Sequence, residues 1–154
     1  MKRLLFTIAF ATAVMFAAAP TAEAGSVMNE VYTKIRKKSP FHAVVKIERI
    51  KKPKLALGVC NVRGRVLRVE KTVNSEWRRL KEIIFGIRCK QPDAYVSPKD
   101  PVRWISTERL RRGTVVDAYL VPTGQTGTFK TSKFNMVTIL RQTGDRGVRY
   151  GDSK

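Results

Sequence analysis

Two cysteines, Cys60 and Cys89, stand one on each arm of a stretch that alternates like a pair of β-strands, and no other feature constrains the chain as much. In the first arm Cys60, Val62, Gly64 and Val66 fall on one side while Arg63, Arg65 and Leu67 fall on the other, the period of two of a half-buried strand. In the second arm Ile83, Phe85, Ile87 and Cys89 share a side. Both cysteines therefore lie on apolar, core-directed rows, where facing strands bring side chains together. A bent antiparallel hairpin from Gly58 to Lys90 follows, with Gly64 where the long strand must coil.

The compartment follows from the amino end. Lys2 and Arg3 precede an apolar run from Leu4 to Ala19, then Pro20, then Ala22-Glu23-Ala24. That is the pattern of a secretory signal peptide, residues 1–24, with cleavage expected after Ala24. The run is shorter than the roughly 20 apolar residues of a spanning helix, and no later stretch reaches that length, so no transmembrane span is expected in the mature chain. An exported product, periplasmic or secreted, meets oxidising conditions, and its two cysteines are then most simply one disulfide, Cys60 to Cys89. With one His and no CxxC, neither a metal cluster nor a thioredoxin-like role is expected, and no cofactor is called for.

Charge sets the class of partner. The chain has 31 Lys and Arg against 12 Asp and Glu, a net charge of +19. Such a field draws polyanions, and outside the cytoplasm these are lipopolysaccharide and other anionic headgroups, acidic glycan, nucleic acid, or an acidic protein. The same charge also keeps an exported protein soluble and monomeric.

Along the mature chain, Gly25 to Ser39 places Val27, Met28, Val31, Tyr32 and Ile35 at helical spacing before Lys34-Arg36-Lys37-Lys38, so residues 25–40 read as an amphipathic helix or arm. Phe41 to Lys51 is a strand. His42 has no carboxylate or cysteine near it in sequence and reads as a structural or surface residue. The connection from Val73 to Arg79 carries Trp77 with Arg78 and Arg79, either a surface that stacks on a ligand or a lid folded over the core. Pro92, Pro98 and Pro101 forbid long regular structure, leaving a short strand at Val102 to Ile105. Ser106 as N-cap, Glu108, Arg111, Arg112 and Gly113 then mark a short helix over Thr107 to Arg112. Thr114 to Val121 is a strand on which Asp117 shares a face with Val115, Tyr119 and Val121, costly for a carboxylate unless paired. A turn spans Pro122 to Gly127, a last strand Lys133 to Gln142, and a polar tail 143–154.

Five or so antiparallel strands interrupted by one short helix after the third is the layout of an OB-like Greek-key barrel over residues 41–142. The fold class expected is mainly β: a small five-stranded barrel of this type with a short helix and an N-terminal amphipathic helix. An immunoglobulin-type sandwich wants about seven strands and is the runner-up.

The succession VCNVRGRVLRVEK (59–71), EIIFGIRCK (82–90) and ERLRRGTVVDAYLV (108–121) resembles the OB-fold of secreted netrin-like domains and tissue inhibitors of metalloproteinases. The resemblance implies an extracellular barrel that works by docking on a protein partner. Those inhibitors grip a metal with an N-terminal cysteine, whereas the expected mature terminus is Gly25-Ser26, so that activity is not implied. The segment IIFGIRCKQPDA also looks like the thermonuclease strand "R-L-x-G-I-D-x-P-E". Arg88 stands where that family has a metal-binding acid, and EKTVNSEW lacks its acidic loop, which removes the chemistry of phosphodiester cleavage.

No G-x-S-x-G, P-loop or H-E-x-x-H occurs, and no pair of carboxylates sits in a pattern that demands acid–base work. An enzyme is not expected. The expected function is binding of an envelope or extracellular polyanion through a basic surface made of Arg63, Arg65, Arg68, Trp77, Arg78, Arg79 and Arg88. A protein-interaction or inhibitor module on an acidic partner, and a nucleic-acid-binding OB-fold, are the alternatives.

Overall fold

The computed structural model describes residues 23–141 of the chain. The element order is α1 (Glu23–Lys38), β1 (Phe41–Lys51), β2 (Leu57–Thr72), β3 (Glu82–Lys90), β4 (Ile105–Ser106), β5 (Val115–Pro122), β6 (Thr128–Thr131) and β7 (Val137–Arg141). The fold is mainly β, and the strands form one mixed, seven-stranded sheet. The signal peptide and polar tail expected from the sequence lie outside the described residues, apart from Glu23 and Ala24.

The expected hairpin is present. β2 pairs antiparallel with β3 from Leu57↔Lys90 to Arg65↔Glu82, and with β1 along its other edge. Cys60 and Cys89 form a disulfide with their Cα atoms 5.9 Å apart. β2 is long enough to serve both neighbours because it coils, and the coil is marked by three register irregularities against β1. Gly64 makes that approach possible: a Cβ there would lie 2.4 Å from Val45 Cγ1 and 3.0 Å from the Lys46 carbonyl oxygen.

Two pairings join the ends of the chain order. β1 pairs antiparallel with β5 from Phe41↔Leu120 to Lys46↔Val115, and β3 pairs parallel with β6. Since β5 also pairs with β6, strand contacts run β1–β2–β3–β6–β5 and back to β1. β6 and β7 lie one after the other along the same edge of β5, so they act as one strand broken in the middle. The inward rows of these strands make the core: Phe41, Val45, Ile47, Cys60, Val62, Ile83, Phe85, Ile87, Cys89, Val116, Leu120 and Phe129 are all buried.

The strands number seven and are mixed, β3 pairing parallel with β4 and β6, where five or so antiparallel strands were expected, and the short strand expected at Val102 to Ile105 is confined to Ile105–Ser106. Three local expectations are corrected as well. The short helix over 107–112 is instead a pair of turns, closed by Arg109 N–H to the Ser106 carbonyl and Thr114 N–H to the Arg111 carbonyl. Ser106 Oγ does accept from Glu108 N–H at 3.4 Å, so the capping residues act, but on a turn. The last strand is shorter than Lys133 to Gln142, because Phe134 and Asn135 have positive φ, 63° and 57°, which no strand accepts. The chain also holds a strand within what read as connection, β6, whose four residues are too few to show a period. In α1, Met28, Val31, Tyr32 and Ile35 are half-buried while Asn29, Glu30, Thr33, Lys34 and Arg36 are exposed, as the amphipathic spacing requires.

Candidate functional site

The outer rows of β2 and β3 follow from the parity that buries the cysteines. With Cys60, Val62 and Gly64 inward, Val59, Asn61, Arg63 and Arg65 point out; with Ile83, Phe85 and Ile87 inward, Glu82, Ile84 and Arg88 point out. The register places Arg63 opposite Ile84, Asn61 opposite Gly86, and Val59 opposite Arg88. Beyond β3, Lys130 of β6 lies beside Gly86; beyond β2, Arg49 and Lys51 of β1 lie beside Arg63 and Asn61. These strands thus present a continuous basic face.

Of the expected site residues, Arg63, Arg65 and Arg88 share this face. Arg63 pairs with Glu82, and Arg65 pairs with Glu48 at 2.7 Å. The depression of about 340 Å³ lined by Glu48, Arg65, Lys81 and Glu82 therefore holds as many carboxylates as cations and offers an anion little. The excess charge lies higher on the face, where Arg49, Lys51, Arg88 and Lys130 form no ion pair among the described residues.

Arg68 stands apart, on the far half of β2 opposite Val44, and pairs with Glu70. Arg78 and Arg79 end a single 3-10 turn, Ser75–Arg79, that joins β2 to β3 and is capped by the Asn74 side chain. Trp77, on the same turn, is a lid: it is half-buried, with its ring edge-on to Phe41 at 5.9 Å and to Phe129 at 5.5 Å. These four residues are not on the face with Arg63 and Arg88.

Sequence reasoning missed Asn135. Its side-chain Oδ1 accepts from Arg88 N–H at 2.9 Å, and Nδ2 donates to the carbonyls of Arg88, at 2.9 Å, and Arg103, at 2.6 Å. Because β6 ends at Thr131, this buried amide takes the place of the strand neighbour that Arg88 would otherwise lack. It fixes the backbone from which Arg88 projects. Nearby, the Asp100 carboxyl is held below its ordinary value by the Trp104 indole N–H, then by Val102 N–H, with a further contribution from Arg88.

A second cluster was also missed. His42 Nε2 lies 2.5 Å from Asp117 Oδ1, and the His42 ring stacks on Tyr119 at 3.9 Å, with the Arg36 guanidinium 5.7 Å from the Tyr119 ring centre. Asp117 thus has the partner that its position demanded. Burial raises the Tyr119 phenol, Asp117 raises it further, and Arg36 opposes the shift. The cluster clamps the start of β1 to β5 and to α1. Among the described residues no helix is long and apolar enough to cross a membrane, and no three His, Cys, Asp or Glu are grouped to hold a metal ion. No family model, curated protein or solved structure matches the chain.

Proposed function

We propose that this is an exported, non-catalytic binding protein, that its sheet is a small OB-like barrel, and that it engages an envelope or extracellular polyanion on the outer face of β2, β3 and β6. The circuit of contacts from β1 through β2, β3, β6 and β5 back to β1 supports the barrel reading, since closure is how a short Greek-key chain removes its sheet edges. The buried disulfide is in keeping with export.

The observation that carries the function is the unmatched charge at the upper end of the face. Arg49, Lys51, Arg88 and Lys130 lie on the strands to either side of Gly86 and along its own strand, where only the Val59 side chain overlies the bare backbone. Arginine and lysine there supply charge-assisted hydrogen bonds to phosphate, sulfate or carboxylate. Trp77 is packed edge-on against Phe41 and Phe129 and lies on the turn away from Arg88, which sets nucleic acid behind the envelope polymers.

The test is binding of the mature chain to DNA, a heparin-like glycan, lipopolysaccharide and anionic vesicles, at low and physiological salt, with Arg88→Glu/Lys130→Glu beside the parent. The expected result is binding that persists at physiological salt for one class and falls at least about tenfold in the variant, with a shallower salt dependence. Undiminished affinity for every polyanion in the variant removes the face from consideration. Uniform binding that vanishes with salt in the parent redirects the search to a protein partner.

A further inference from the structure

We infer, building on that reading, that the polyanion is the surface of an anionic lipid bilayer, and that two loops beside the basic face insert apolar side chains into it. The basic face is not uniformly polar. Val59 and Ile84 are 49 % and 43 % exposed on its outer rows. A Cβ at Gly86 would come within 2.7 Å of Val59 Cγ1, so the Val59 side chain lies over the bare backbone and the patch is shallow. At the adjoining end of the sheet, Leu55 is 73 % exposed and Tyr95 80 % exposed.

Leu55 and Tyr95 are not scattered single residues. The loops that carry them are tied together by Gln91, whose N–H donates to the Ala56 carbonyl at 2.8 Å and whose Nε2 donates to the Pro53 carbonyl at 3.2 Å. Lys90 Nζ donates to the Ala94 carbonyl at 3.2 Å, holding the second loop from the strand side. The same loops carry exposed Lys52 and Lys54 just before Leu55 and exposed Lys99 after Tyr95, with Asp93 the exposed acid beside it. Apolar tips on loops that also carry lysines are what an interfacial protein presents: the tips reach the acyl boundary, the ammonium groups meet lipid phosphates, and the two contributions add. Tyrosine suits the headgroup level because its ring is apolar and its hydroxyl wet. A soluble glycan, hydrated along its length, gives Leu55, Val59 and Ile84 nothing to bury against.

The experiment compares partition of the full mature chain onto phosphatidylglycerol-containing vesicles and onto pure phosphatidylcholine vesicles at physiological salt, with a heparin-like glycan as the charge-only ligand. Leu55→Ser/Tyr95→Ser leaves every basic residue in place; it should lower partition onto anionic vesicles by at least about tenfold while changing glycan affinity by less than about twofold. Thermal unfolding of the variant checks that the fold is kept. In Tyr95→Trp, bromine-labelled acyl chains should quench tryptophan emission more than in the parent. Equal vesicle binding by parent and serine variant, or no added quenching, overturns the insertion and leaves the basic-face reading intact. Failure of the parent to hold either vesicles or glycan at physiological salt overturns the basic-face reading itself.

Discussion

The side-chain amide of Asn135 is hydrogen-bonded to both backbone polar groups of Arg88, 47 residues away in the chain. Its third bond, to the Arg103 carbonyl, ties in the proline-rich segment. One buried side chain thus completes the edge of β3 at the point where the candidate face carries its unmatched charge. Asn135→Ala leaves a buried N–H and two carbonyls without partners and is expected to cost about 2–4 kcal/mol in denaturant unfolding. Asn135→Asp should cost more, because the atom that now donates to two carbonyls becomes an acceptor facing them. Loss below about 1 kcal/mol in both variants would remove Asn135 as the splint of this edge.

Gly64 makes a different demand, for space. Ala at this position drives its methyl into Val45 and against the Lys46 backbone, and overpacking of this kind costs about 1–3 kcal/mol. Adding Val45→Ala relieves the side-chain part of the clash. The double variant should therefore be more stable than the sum of the two single changes, a non-additivity that a double-mutant cycle reads directly.

The Cys60–Cys89 disulfide closes a loop between residues 29 apart in sequence, which by loop-closure entropy stabilises the fold by about 3–4 kcal/mol. Cys60→Ala/Cys89→Ala should lower the denaturant midpoint accordingly. Thiol titration of the unreduced chain should find no free thiol; two free thiols would place the bridge outside the native protein.

Much of this is legible in the sequence. β2 and β3 announce themselves by alternation, β1 and β5 by runs rich in β-branched and aromatic residues, and the cysteine pair fixes the β2–β3 hairpin. What the sequence hides is long-range pairing. His42 looked alone because Asp117 reaches it only through the β1–β5 register, across 75 residues. Arg63 and Arg65 read as free charges because their partners, Glu82 and Glu48, sit on neighbouring strands. Ser106, Glu108 and Gly113 gave the signature of a helix because the same residues that cap helices also close turns. The seven expected site residues divide for a related reason: Trp77, Arg78 and Arg79 lie on the turn at one end of the sheet, whereas Arg88 lies near the other end of β3.

Tyr119 sets an alkaline limit on stability. Its phenol is raised in the folded chain above the ordinary 10.0, first by burial and then by Asp117. The unfolded phenol therefore loses its proton first, so the unfolded state binds fewer protons and stability falls as pH rises past 10.0. Tyr119→Phe should flatten this alkaline fall in melting temperature while leaving the profile near neutrality unchanged in slope. An identical alkaline slope in parent and variant would exclude Tyr119 as its source.

Trp77 decides between a lid and a ligand contact. Its ring covers Phe41 and Phe129 at the end of the core, and Phe41 and Phe129 themselves stack at 4.9 Å, so removing the indole uncovers a layer of aromatic packing. Trp77→Ala is expected to destabilise by about 3 kcal/mol, towards the low end for a buried aromatic because the ring is only half-buried. Trp77→Phe should recover much of that loss. Polyanion affinity, measured on the folded fraction, should be the same in the parent and in Trp77→Phe, since the ring packs on Phe41 and Phe129 and its turn lies at the opposite end of β3 from Arg88. A drop of tenfold or more in Trp77→Phe, with stability retained, would return the indole to the binding surface and make the 3-10 turn, with Arg78 and Arg79, part of the site.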